Sequence, residues 1–155
     1  MRLYIFTMTN LPIENHPELL QEYGRALACI GAVDLMLIGY ITTKDASKTF
    51  RQLEEDFTLG QKVGLARDKK WLGPVLITKL LDLNEDRKTL AHGVTGEIVE
   101  NNNANNKSGK FVISHKGQKN FDLTFLQAIS TKAKKLTVDM YNAMPIPAQY
   151  KRTIS

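Results

Sequence analysis

Leu80-Leu81-Asp82-Leu83-Asn84-Glu85-Asp86-Arg87-Lys88-Thr89-Leu90-Ala91-His92-Gly93 is the stretch on which the reading of this chain turns. Leu80, Leu83, Arg87, Leu90 and Ala91 recur at three- and four-residue spacings, the period of a helix with one buried stripe. Gly93 reads as its C-cap, which places His92 in the last turn, where the carbonyl end favours an imidazolium that can also cap those carbonyls. Arg87 and His92 stand five residues apart, about 140° in angle on a straight helix. One straight helix therefore does not aim both at one small ligand. They converge if the helix loosens before Gly93, or if a second copy of the chain brings its own pair alongside.

Upstream, Gly73-Pro74 restarts the chain with proline in the first turn, and Val75 to Ala91 is one amphipathic helix with Leu76, Leu80, Leu83, Arg87 and Leu90 along one side. Asn15-His16-Pro17-Glu18 opens an earlier helix, with Asn15 as N-cap and Glu18 completing a capping box. Its buried side runs Leu19, Tyr23, Ala26, Leu27, Ile30, Val33, Leu37 and Ile41, and Gly24, Gly31 and Gly39 suggest close approach by another helix. Asp34 is the odd residue in this company. A buried carboxylate there needs a counter-ion, and Arg87 is the candidate; the alternative is that Asp34 faces water. Ser47 ahead of Arg51 to Phe57 marks a shorter helix, Thr58-Leu59-Gly60 a turn or fresh cap into Gln61 to Arg67, and Asp68-Lys69-Lys70 a solvated connector before the anchors Trp71 and Leu72. Met1 to Thr9 fits a short strand or an unpaired arm.

After Gly93 the period changes. Glu97 to Glu100 and Lys110 to Ser114 are β-type runs separated by the polar asparagine-rich loop Asn101 to Gly109. His115 to Asn120 is a second turn, and Thr124 or Asp122 caps a last helix spaced by Phe125, Ile129, Lys132, Ala133, Leu136, Met140 and Met144 until Pro145 and Pro147 stop it. The fold class expected is mainly α: a four- or five-helix bundle with a small β-hairpin insertion before the last helix, in a single domain spanning residues 1–155.

Charge is unevenly spread. The net charge is +5, yet residues 101–155 hold nine basic and two acidic side chains, which points to an anionic partner, nucleic acid first among them, or to a solubilising basic tail. Cys29 is the single cysteine, so disulfide scaffolds and thiolate metal sites are excluded. No secretory signal is visible, and the apolar run Ala26 to Ile41, 16 residues with Asp34 inside it, falls short of a spanning helix and reads as a core helix. A soluble, cytoplasmic protein without membrane contact is expected.

His16, His92 and His115 lie in separate elements with no partner at metal-ligand spacing, so no metal is expected, and with no phosphate loop or dinucleotide fingerprint no cofactor is expected either. Arg87 with His92 is the one arrangement with catalytic promise. Metal-free RNA cleavage needs a base for the ribose 2′-hydroxyl, a cation for the developing phosphorane charge and an acid for the leaving 5′-oxygen. Histidine supplies either proton transfer near neutral pH, and arginine grips phosphate through two N–H groups. One such pair is thin for the task; two pairs across a two-fold axis supply every role, so homodimerisation belongs to the hypothesis. The structural reading of the same residues is Arg87 paired with Asp34 or Glu22, and His92 as a cap.

Thr58-Leu59-Gly60, then a helix, then Leu83 to Gly93 with the arginine-x4-histidine spacing resembles the HEPN superfamily of helical nucleotide-binding and ribonuclease domains. The chain is also similar to the mannitol operon repressor group, which shares a leucine-glycine turn upstream of an alanine-histidine ending. The resemblance covers roughly residues 15–144, and its specific part is Arg87 to Gly93. It implies Arg87 and His92 as catalytic pair, a homodimer, metal-independent cleavage leaving a 2′,3′-cyclic phosphate, and a toxin or phage-defence role with a cognate antitoxin or other protein partner. Lys88 stands where members carry asparagine, aspartate or histidine; lysine binds phosphate but cannot accept a hydrogen bond from the histidine. Lys88, Lys116 and Lys119 are the expected RNA-backbone contacts, with Asp34 in a structural role. The alternative is a non-catalytic helical dimer, a transcriptional regulator or a protein- or nucleotide-binding module.

Overall fold

The computed structural model describes residues 16–101 and 107–144. The expectations for Met1 to Thr9, for Asn15 as N-cap, for the centre of the asparagine-rich loop and for the stop at Pro145 and Pro147 lie outside those residues. The elements are α1 (Pro17–Lys44), α2 (Phe50–Glu55), α3 (Leu59–Asp68), α4 (Pro74–His92), β1 (Val94–Asn101), β2 (Lys107–Ser114), β3 (Gln118–Asn120) and α5 (Leu123–Ala143). The mainly α arrangement is present, with five helices among the described residues. The strands form an antiparallel sheet in the order β1-β2-β3, with Val94 opposite Ser114 and Ser114 opposite Gln118.

Local chemistry sets the helix boundaries. Thr58 starts α3 with a capping box: its hydroxyl accepts from the Gln61 N–H while the Gln61 side chain accepts from the Thr58 N–H. The same device starts α2, but from Thr49 and Gln52 rather than from Ser47. Ser47 donates instead to the Asp45 carboxylate from both N–H and hydroxyl, at 3.0 and 2.6 Å, and these bonds hold that carboxyl below its ordinary value. Asp122 caps α5 by accepting from the Phe125 N–H at 2.8 Å.

The chain divides into two compact units, and α1, α4 and α5 each contribute to both. One unit comprises the described residues of Met1–Ala28 with Glu85–Ser130; Leu19, Ala26, Leu90, Ile113, Phe121 and Leu126 are buried in it. There Glu22, 5% exposed, accepts from Arg25 at 2.9 Å and from the Ser130 hydroxyl at 3.2 Å. The other comprises Cys29–Asn84 with the described residues of Thr131–Ser155, and buries Val33, Leu37, Ile41, Leu53, Val63, Leu80, Leu83, Leu136 and Met140. Each such aliphatic side chain removed from water contributes about 1.5–3 kcal/mol.

Three expectations about α1 are corrected. Gly24, Gly31 and Gly39 have open space where a Cβ would stand, so no neighbouring helix accounts for them among the described residues. Leu27 lies on the exposed side together with Leu20 and Leu35. At 28 residues, α1 outruns its apolar core and is long and apolar enough to cross a membrane, with 39% of its most apolar window buried.

Candidate functional site

The carboxyl end of α4 is where the chain's chemistry gathers, within the unit that holds the described residues of Met1–Ala28 and Glu85–Ser130. Two contacts fix it. The Tyr23 hydroxyl of α1 donates to the Leu90 carbonyl at 3.1 Å, and the Tyr23 ring meets Phe121 edge-on at 6.0 Å. Gly93 N–H then donates to the Thr89 carbonyl at 2.8 Å. These bonds occupy carbonyls that a helix end leaves open, the task the structural reading gave to His92. Gly93 is required here by want of room, not by a left-handed turn: a Cβ there would collide with the Thr89 carbonyl oxygen and with the side chain of Ile113 on β2.

His92 is exposed in this last turn, and Arg87, one and a half turns earlier, is half-buried. Its Nε is buried with no hydrogen-bond partner among the described residues. Neither counter-ion considered for it serves. Asp34 pairs with Lys62 of α3, whose Nζ lies 2.7 Å from Oδ1 and 2.8 Å from Oδ2, the hydrogen bond being directed at Oδ2. Glu22 is taken by Arg25 and Ser130. The reason for the first correction lies in α3. Leu59, Lys62, Val63 and Ala66 share its buried side, and a lysine 1% exposed requires the carboxylate more than the arginine does.

Of the three lysines expected to contact RNA, two are brought together. Glu85 accepts from Lys88 at 2.7 Å and from Lys116 at 3.3 Å. The Lys88 bond first, then the Lys116 bond, hold the Glu85 carboxyl below its ordinary value. The cluster keeps one uncompensated positive charge, and all three side chains reach solvent. Lys119 stands elsewhere, its Nζ 5.9 Å from the centre of the Phe125 ring.

His115 is the residue that sequence spacing did not bring here. Its ring centre lies 6.4 Å from that of His92, the planes inclined by 39°. Its Nε2 is buried with no hydrogen-bond partner among the described residues. It opens the bend between β2 and β3, its N–H donating to the Gly117 carbonyl at 3.0 Å, with Lys116 at φ 51° and Gly117 at φ 123°. A lysine in the left-handed region is strained, a feature concentrated at functional sites. The signal was in the strand register: once Val94 stands opposite Ser114, the chain ends just beyond that rung, Gly93 with His92 before it and His115, become neighbours.

Elsewhere, Lys79, Asp82, Lys132, Lys135, Leu136 and Asp139 line an open cleft of about 140 Å³. Its charges are largely internal, with Lys79 to Asp139 at 2.6 Å and Lys132 to Asp82 at 2.7 Å. Among the described residues no three His, Cys, Asp or Glu side chains stand where they could hold a metal ion. Comparison with protein-family models, with curated proteins and with solved structures finds no match.

Proposed function

We propose that this chain is a metal-independent endoribonuclease that acts as a homodimer in the cytoplasm, of the toxin or phage-defence type that its sequence resembles, restrained by a protein antitoxin. The observation that carries the reading is the exposed His92 imidazole at the end of α4, on the same helix as Lys88 and as an Arg87 whose Nε has no partner among the described residues. In this reading the chain between α4 and α5 is a β-hairpin that brings Lys116 to the phosphate. Arg87 donates to the non-bridging oxygens, where negative charge grows as the 2′-oxygen attacks, and His92 transfers a proton.

The test is cleavage of a mixed tRNA and mRNA pool in EDTA, the unsubstituted chain beside His92→Ala, with end-group analysis. Cyclic phosphate ends that disappear in the variant support the reading. No cleavage at high protein concentration, with no RNA shift at low salt, sinks it.

A second reading, a non-catalytic binding module or regulator, is favoured by the exposed leucines of α1: Leu20, Leu27 and Leu35. Apolar side chains grouped on one helix face are a common partner surface. A partner that binds with unchanged affinity when Arg87 and His92 are both replaced, while RNA is left intact, decides for it.

A further inference from the structure

We infer that His115 is the second imidazole of the reaction, so that one chain carries both the proton acceptor and the proton donor for RNA cleavage. This rests on the ribonuclease reading above. Three observations support it. The ring centres of His92 and His115 are 6.4 Å apart. In-line displacement places the entering and leaving oxygens on opposite sides of phosphorus, and each needs a nitrogen within about 3 Å; rings at this spacing straddle one phosphoryl group.

The two rings are also held to a common frame. His92 precedes Gly93 and Val94, His115 follows Ser114, and Val94 and Ser114 are opposite one another in the β1–β2 ladder. Ile113, 1% exposed, closes on Gly93 from the β2 side, so helix end and strand end move together. Finally, the buried Nε2 of His115 has no partner among the described residues. An unsatisfied buried nitrogen is costly, and here it belongs to a ring 6.4 Å from a second imidazole.

The step balances. The 2′-oxygen bonds to phosphorus as the bond from phosphorus to the 5′-oxygen breaks. The 2′-hydroxyl proton passes to His115, and a proton from His92 passes to the 5′-oxygen. Nothing is oxidised or reduced. Lys116 remains as a phosphate contact, and the second protomer is not required to lend a histidine.

The experiment uses two substrates with the full chain, His92→Ala, His115→Ala and His115→Gln, each variant first shown to be folded by circular dichroism. One is a diribonucleotide. The other replaces its 5′-nucleoside by 4-nitrophenol, which departs without a proton donor. His115→Ala and His115→Gln are expected to slow both substrates about 100-fold or more, and His92→Ala to slow the diribonucleotide while sparing the nitrophenyl ester. If the unsubstituted chain cleaves and both folded His115 variants cleave within threefold of it, His115 is no catalyst and the ribonuclease reading stands without it. If the unsubstituted chain cleaves neither substrate nor any RNA in the pool, both fall.

Discussion

Lys62 and Arg87 are both basic side chains drawn into the protein on helices, and they are treated in opposite ways. Lys62 is 1% exposed, and both oxygens of Asp34 stand within 2.8 Å of its ammonium group. Arg87 keeps a buried Nε without a partner among the described residues, and so does His115 through its Nε2. A cation that serves architecture is neutralised where it sits. Arg87 and His115 are each left a hydrogen bond short, and stability is lower for it.

The largest effect expected from this contrast is at the satisfied cation. Asp34→Ala leaves Lys62 charged and buried, and should lower unfolding stability by about 3 kcal/mol, measured by urea titration. A loss below about 1 kcal/mol would show that the ammonium reaches water and that the pair is not structural. Gly93→Ala comes next, because its Cβ must displace the Thr89 carbonyl or Ile113; a loss of about 1–3 kcal/mol is expected. Arg87→Met should run the other way. Removing the unsatisfied Nε is expected to leave stability unchanged or to raise it by up to about 1 kcal/mol, while RNA affinity falls; a drop as large as that of Asp34→Ala erases the contrast.

The smallest effects concern Glu85. Its folded carboxyl titrates below the ordinary value because Lys88 and Lys116 hold it. The stability it contributes is therefore present above the unfolded glutamate range and is lost as pH falls through the lowered folded value. Because the group is exposed, the change in melting temperature across that acid window should be small, and Glu85→Gln should abolish it. At neutral pH the same substitution frees two lysines, and RNA affinity at low salt should rise. Lys88→Gln and Lys116→Gln should each reduce the slope of log affinity against log salt by about 0.7.

Much of the helical framework was legible because a helix repeats every 3.6 residues and buries one stripe. Leu76, Leu80, Leu83 and Leu90 gave α4, and Thr58-Leu59-Gly60 read as a turn or fresh cap, with the helix begun at Gln61, two residues later than α3 starts. Thr49 was missed as the α2 cap because Ser47 is equally good locally, and Asp45 claims it. Lys62 was missed because lysine is read as a surface residue by type, though its spacing from Leu59 and Ala66 puts it on the buried stripe. Arg87 and His92 were singled out by spacing, yet spacing along one helix said nothing of a partner 23 residues onward. His115 arrives through strand pairing, a non-local event fixed by register.

The buried Lys62 also gives the chain a built-in chemical reporter. Acylating reagents reach solvated amines first, so exposed lysines such as Lys69, Lys70 and Lys134 should be labelled within the first exposure, with Lys62 the last among the described residues. Its peptide in a mass spectrum then measures how often this part of the protein opens. A preparation in which Lys62 reacts as quickly as Lys70 has lost its α3 packing, whatever its helix content.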